Sequence, residues 1–227
     1  MTQIGSAGNL DEVRECLIRL LFHLRDVPST SPTDMRARIL STAIPMFAGR
    51  GYVGTSMRDI ATGVNIKAAS LYSHFPEGKE QLLREGLSEI FDEFLAHVVA
   101  PLNPNMDVPD QLRCVVEQHV RWQLESAPKA LAWDAALAQF GVEGVLDPAY
   151  EQELRQRQNL YHAYVERLVH SVTFDATSPA RALGILALCD AARIWHVSGA
   201  GPLDTVNEVV EIVWTLAQDV SGLSRLT

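Results

Sequence analysis

The sequence predicts an all-α protein. Three observations carry that expectation. Apolar residues recur at steps of three and four through almost every periodic segment, strand-like alternation is nearly absent, and residues 56–74 hold two short helical segments on either side of a tight turn. The chain has 227 residues, 47% hydrophobic and 21% charged, with a mean hydropathy near zero. Such composition is ordinary for a globular protein. It excludes long disorder, collagen and a disulfide scaffold, and the length suffices to bury a real core. The net charge is −9. Taken whole, that balance argues against a nucleic-acid partner.

The elements follow in order. Residues 10–26 set Leu10, Val13, Leu17, Leu20 and Leu24 on one stripe, with Asn9 and Glu12 spaced as an N-cap and its partner three residues on. Pro28 to Pro32 reads as a linker. A helix starting at Thr33 or Asp34 carries Ile39, Leu40, Ala43, Met46 and Phe47. Pro45 should kink it, and Gly49 to Gly51 ends it. Short helices at 56–63 and 67–74 come next. After the Pro76-Glu-Gly78 turn a long helix runs from about Glu77 to Leu102. Further helices are expected from Pro109 to Ser126, Pro128 to Phe140, Asp147 to Val172, Ser178 to Val197, and over about 204–221. This divides the chain into an N-terminal extension with a helix and linker (1–32), a three-helix helix-turn-helix domain (33–84) and a larger C-terminal helical bundle (85–227).

The window that carries chemistry is 34–84. Ser56 is placed to cap the first short helix with Asp59 as its box partner. Ile60 and Ala61 face inward. Asn65 stands where the turn needs a left-handed residue, and Ile66 plugs that turn into the core. Leu71 and Phe75 form the buried side of the second short helix. Lys67, Ala68, Ser70, Tyr72, Ser73 and His74 are then left outward. Small residues at that helix start allow a close approach to a major groove, and Tyr72 and Lys79 reach phosphates.

The run Ile39-Leu40 … Phe47-Ala48 … Arg50-Gly51-Tyr52 … Thr55-Ser56-Met57-Arg58-Asp59-Ile60-Ala61 … Ser70-Leu71-Tyr72-Ser73-His74-Phe75-Pro76 … Lys79-Glu80-Gln81-Leu82-Leu83 resembles the DNA-binding domain of the TetR family of bacterial repressors. Three positions depart from the family pattern: Asn65 replaces the usual turn glycine, Gly78 adds a residue before Lys79, and Ala69 stands where Gly or Pro is common. The resemblance implies a cytoplasmic homodimer that reads palindromic double-stranded DNA and is released by a small-molecule effector. It implies that Ser56 and Arg58 meet the phosphate backbone, that Lys67, Ala68 and Ala69 lie along base edges, and that Ser70, Tyr72, His74 and Lys79 clamp phosphates. Charge agrees with this division: residues 34–84 carry +3 and the rest of the chain −12. A basic head on an acidic body orients the head toward DNA.

Beyond residue 85 the likeness is one of architecture. The last two helices are the candidate dimer seam, with Ala182, Leu183, Leu186, Asp190 and Arg193 along one and Val206, Val209, Val210, Val213, Leu216, Ala217 and Val220 along the other. Faces so wide call for a four-helix seam across a twofold axis, and Trp214 is either its anchor or core. Candidate effector-site residues are His119, Trp122, Trp133, Phe140, Tyr161, Tyr164, Arg193, Trp195 and His196, because a pocket needs aromatic walls and a few polar groups. Arg193, if buried, needs Asp190 or an anionic ligand group. The segment from Ala192 to Leu203 faintly resembles family members that respond to acyl-CoA thioesters, which makes that the suggested effector class.

An enzyme is not expected: the chain has neither a Gly-x-Ser-x-Gly elbow nor a phosphate-binding glycine loop. Its histidines lack metal-ligand spacing, so neither a metal nor a cofactor is expected. Cys16, Cys114 and Cys189 are far apart and read as reduced thiols. Neither a signal peptide nor a membrane span is expected. The helix at 10–26 lies outside the family plan. It packs on the body of the protein, or meets the partner subunit, or meets DNA through Arg14, Arg19 and Arg25. It also supports an alternative function, a DNA-bound regulator controlled by a protein partner through this helix.

Overall fold

The computed structural model describes residues 4–25, 34–139, 146–173, 177–197 and 206–221. Among them there are ten helices and no strand: α1 (Ile4–Arg25), α2 (Met35–Arg50), α3 (Met57–Val64), α4 (Ala68–His74), α5 (Lys79–Val99), α6 (Val108–Glu125), α7 (Ala127–Gln139), α8 (Pro148–Thr173), α9 (Ser178–Val197) and α10 (Val206–Ser221).

The chain forms two compact units. The head unit, Val27–Glu93 with Pro128–Arg155, holds α2, α3, α4, most of α5, α7 and the start of α8. The bundle unit, Met1–Asp26 with Phe94–Ala127 and Gln156–Thr227, holds α1, the end of α5, α6, most of α8, α9 and α10. The expected boundary at 84/85 thus falls inside α5, and the head unit reaches Glu93 and takes in α7 as well. Helices α5 and α8 belong in part to each unit.

In the head unit, Ile39, Ala43 and Phe47 of α2 bury against Ile60 and Ala61 of α3, Leu71 and Phe75 around α4, and Leu82 and Leu83 of α5. Each large side chain removed from water contributes roughly 1.5–3 kcal/mol. A Cβ on Gly86 would stand 2.2 Å from the end of Ile44, so α2 and α5 cross where one of them has no side chain. In the bundle unit α6, α9 and α10 pack on one another. Leu112, Val116 and Val120, with Ile185, Cys189 and Ala192, and Val209, Val213 and Ala217, fill the space between them.

Some expectations need correction. The first helix begins at Ile4, so Asn9 lies inside it rather than at its cap. No proline stands between Ile4 and Leu10, and extension gains a backbone bond per residue once a turn exists, which offsets the cost of Gly5 and Gly8. Leu10 is exposed, while Val13, Leu17 and Leu20 are buried as read; the side chain of Leu24 lies outside the described residues. Helix α2, as read, runs through Pro45 and ends at Arg50. Pro45 and Ser41 are both exposed, so the carbonyl that Pro45 leaves unpaired meets water. Helix α5 starts at Lys79 rather than Glu77, because Gly78 holds φ +77° in the turn before it.

Candidate functional site

Helix α3 is fixed at both ends by its own sequence. The Ser56 hydroxyl accepts from the Asp59 backbone N–H at 3.1 Å, and the Asp59 carboxylate accepts from the Ser56 N–H at 2.9 Å. The Ser56 hydroxyl also donates to that carboxylate, which with the N–H bond holds Asp59 below the usual carboxylate range. At the other end Asn65 takes the left-handed conformation, φ 62° and ψ 47°, and its N–H returns to the Ala61 and Thr62 carbonyls. The Ile66 N–H bonds to the Ala61 carbonyl at 2.9 Å. Ile66 is half-buried, so it closes the turn without entering the core. Helix α4 follows with Lys67 at its N-cap position and Leu71 as its buried residue.

The outward face is much as the sequence reads. Arg58, Lys67, Ala69, Ser70 and Tyr72 are exposed, and Ala68 and His74 are half-buried. Tyr72 is 49% exposed, so its ring and hydroxyl stand open to a partner. Ser56 is exposed, but its hydroxyl and N–H are both engaged by Asp59. Lys79 is more tightly held than a free phosphate clamp would be. Its ammonium donates to the Tyr52 carbonyl at 2.7 Å and the Thr55 carbonyl at 3.1 Å, and lies 4.1 Å from the centre of the Tyr52 ring. Burial lowers its pKa. Lys79 thereby pins the loop that delivers Ser56, and Thr55 secures the same loop through its hydroxyl bonds to the Met46 and Gly51 carbonyls.

A second tie has no sequence signal. The Arg36 guanidinium donates to the His74 carbonyl at the end of α4 and pairs with Glu85 of α5. It also lies over the Phe75 ring, 4.3 Å from its centre. Glu85 accepts from Gln81 at 2.8 Å, and Gln81 accepts from the Glu77 N–H at 3.0 Å. The C-terminal end of α4 is thus fastened to α2 and to the first turns of α5. Residues 49 positions apart carry no local pattern that announces such a pair.

The structure brings together only some of the effector-site candidates. In the bundle unit His119, Trp122 and Tyr161 surround Phe94, which meets each edge-on. His119 stands 3.1 Å from the Tyr161 hydroxyl through Nδ1 and 3.0 Å from Asp190 through Nε2. Gln123 donates to Asp190 at 2.8 Å and accepts from Arg193 at 2.8 Å. Burial alone would raise the Asp190 pKa, but the His119 hydrogen bond and the charges of His119, His162 and Arg193 hold it below the usual range. Arg193 therefore reaches Asp190 electrostatically and bonds to Gln123. Tyr164 lies apart, donating to Gln111 at 2.7 Å. Trp133 belongs to the head unit, stacked on Phe91. Phe140 and the side chains of Trp195 and His196 lie outside the described residues. Phe94 and Gln123 were missed: a phenylalanine on a helix stripe and an interior glutamine look like ordinary packing.

The seam candidates divide the same way. Ala182, Leu186, Val209, Val210, Val213, Trp214 and Ala217 are buried within the chain. Trp214 is therefore core rather than anchor, with the Arg113 guanidinium 5.5 Å from its ring centre. Leu183 (58% exposed) and Ile194 (63%) on α9, with Ile212 and Leu216 on α10, remain outward. No helix among the described residues is long and apolar enough to cross a membrane.

Comparison with known proteins accords with this geometry. The family model for bacterial regulatory proteins of the tetR family matches residues 39–85, the segment from α2 to the start of α5. The biofilm operon icaADBC HTH-type negative transcriptional regulator IcaR of Staphylococcus epidermidis is 33% identical over 106 residues, 43% of this chain and 57% of that protein. The chain therefore spans little more than half the length of that relative. A tetR-family regulatory protein from Rhodococcus RHA1 shares the fold, with a TM-score of 0.68 at 24% identity over 83% of this chain and 98% of that one. AibR, in complex with isovaleryl coenzyme A and operator DNA, does so with a TM-score of 0.65 at 19% identity over 82% and 97%. The α2-to-α5 segment is thus that of the tetR family of bacterial regulatory proteins, and the all-helical architecture is the fold these structures share.

Proposed function

We propose that the protein is a homodimeric, sequence-specific DNA-binding regulator of transcription, a repressor released from a palindromic operator by a small-molecule effector. The observation that carries this is the capped α3–Asn65–α4 unit, which presents Lys67, Ala69, Ser70 and Tyr72 to solvent within the segment 34–84, whose charge is +3. Lys67, Ala68 and Ala69 read base edges. Arg58, Ser70, Tyr72 and His74 set the register on phosphates, with the exposed cap at Ser56 beside them. Lys79 holds the loop and keeps the remaining hydrogen of its ammonium for a phosphate. The outward Leu183, Ile194, Ile212 and Leu216 form the dimer seam.

The effector enters the bundle beside Phe94, where His119, Tyr161 and Asp190 give polar anchors within an aromatic wall. An acyl-CoA thioester is the effector class to test first, and AibR carries one in its complex. Release follows from linkage: an effector that prefers a conformation with the wrong spacing of heads weakens binding to a fixed pair of half-sites. An electrophoretic shift with the DNA upstream of its own gene, run across a salt series, tests the reading. A shift that weakens steeply with salt is expected. No shift at low salt, with folded protein, would overturn it.

A second reading is favoured by α1. Its inner face is buried through Val13, Cys16, Leu17 and Leu20, yet Ile18 (55% exposed) and Phe22 (62%) stand outward one turn apart. That apolar edge suits a protein partner that controls the regulator in place of a small ligand. Ile18→Ser with Phe22→Ser separates the two readings, since effector release survives it only under the first.

A further inference from the structure

A cleft of about 460 Å³ opens in the head unit between α2, the middle of α5 and the first turn of α7. It lies apart from the outward face of α4 and uses none of the bundle residues. Its walls are Ala37, Leu40 and Ile44 of α2, Gly86 and Ile90 of α5, and Pro128 of α7. The volume falls in the range of small-molecule sites.

The polar groups around it limit what it can take. Glu93 and Lys129 form an ion pair with each other across the rim. The Ser41 hydroxyl donates to the Arg38 carbonyl at 3.0 Å, and Glu89 is itself engaged. Arg38 stands exposed at the edge, where water serves its guanidinium. A charged group inside the cleft would have to break the Glu93–Lys129 pair or lose its hydration against aliphatic walls, and either is costly; an anion could meet Arg38 only at the open edge. An uncharged apolar molecule meets no such cost and gains from the area it buries.

The position matters as much as the lining. Ile44 forms one wall and is the residue that presses on bare Gly86 where α2 crosses α5. Glu85, next to Gly86, holds Arg36, and Arg36 holds the end of α4. A body wedged against Ile44 acts on the joint that sets the reading helix.

We propose that this cleft is a binding site for a neutral, mainly apolar small molecule, and that filling it lowers operator affinity by shifting α2 against α5. The second half rests on the DNA-binding reading given above; the first does not.

The experiment titrates the full chain with the neutral fluorophore N-phenyl-1-naphthylamine and, separately, with its sulfonated relative 1-anilinonaphthalene-8-sulfonate. One saturable neutral probe per chain is expected, with the sulfonate at least about tenfold weaker. Ser41→Trp fills the cleft and Ser41→Asp charges its wall; each should weaken the neutral probe by at least about tenfold, with helix content unchanged by circular dichroism. If one variant fails to fold, the other still decides. Unchanged probe affinity in a folded Ser41 variant, or sulfonate binding as tight as the neutral probe, overturns the site. Saturating neutral probe should also weaken the upstream-DNA shift several-fold in the wild type and not in Ser41→Trp. A shift that forms normally and ignores the probe overturns the coupling alone, whereas no shift without probe overturns the DNA reading.

Discussion

Tyr72 and Lys79 look alike in the sequence, as two long polar side chains beside the reading helix. In the structure they differ. Tyr72 stands half in solvent, while Lys79 has two backbone carbonyls and a ring around its ammonium. Tyr72→Ala should therefore weaken binding to every sequence alike and leave the salt slope unchanged, because a neutral phenol displaces no counterion, whereas Lys67→Ala should change sequence preference. Competition shifts with operator and random DNA measure both. Lys79→Met should cost about 1–3 kcal/mol of folding stability through the loop it pins, read by urea unfolding. A changed salt slope with unchanged stability would instead make Lys79 a phosphate clamp. His162 gives a pH dependence. Burial lowers its pKa, Asp190 opposes that and His119 adds to it. The unfolded chain takes up a proton near pH 6.5 that the folded chain resists, so this contribution is full above that pH and declines as pH falls below it. His162→Gln should flatten stability between about pH 7 and 5.5 in urea titrations; an unchanged slope would place the proton elsewhere.

Among the elements, α3 was the most legible. Its start, its stop and its inner residues all follow from chemistry within ten positions: a capping box, a left-handed Asn, and Ile60 and Ala61 on the buried side. Helix α4 is legible as a helix, but its setting is not. That setting depends on Arg36, which reaches it from another helix, and on Glu85 and Gln81 from a third. Arg36→Met and Glu85→Gln should each lower the ratio of operator to random-DNA affinity more than they lower helix content. The double variant should add little to either single change, because both loosen one joint. Strictly additive losses in competition shifts would show that Arg36 and Glu85 act separately. The effector candidates were chosen for residue type, and type alone did not group them. Trp133 stacks on Phe91 in the head unit, and Tyr164 bonds to Gln111 rather than joining His119.

At the scale of the whole molecule, the net charge of −9 ceases to oppose DNA binding once it is divided into a +3 head segment and a −12 remainder. Weak non-specific binding and reliance on two heads together follow from that division. Two heads require a dimer, and the four outward apolar residues on α9 and α10 are the surface proposed for it. Leu183→Arg with Leu216→Asp should halve the mass seen by light scattering, from about twice 25.1 kDa to that value, and abolish the specific shift. A wild-type chain that scatters as 25.1 kDa at micromolar concentration would remove the seam from the account.

The sequence by itself determined the helices and the tetR-family helix-turn-helix segment, because caps, turns and the 3.6-residue period act over a few residues. It also determined that residues 34–84 are basic and the remainder acidic, since charge needs no coordinates to add. Only the tertiary structure decided which apolar residues on α9 and α10 face inward, which aromatics gather around Phe94, and that Lys79 pins the loop before α3 while Arg36 fastens the end of α4. Those outcomes depend on side chains far apart in the chain meeting at short distance. A helical period shows that a face exists, but not what lies against it.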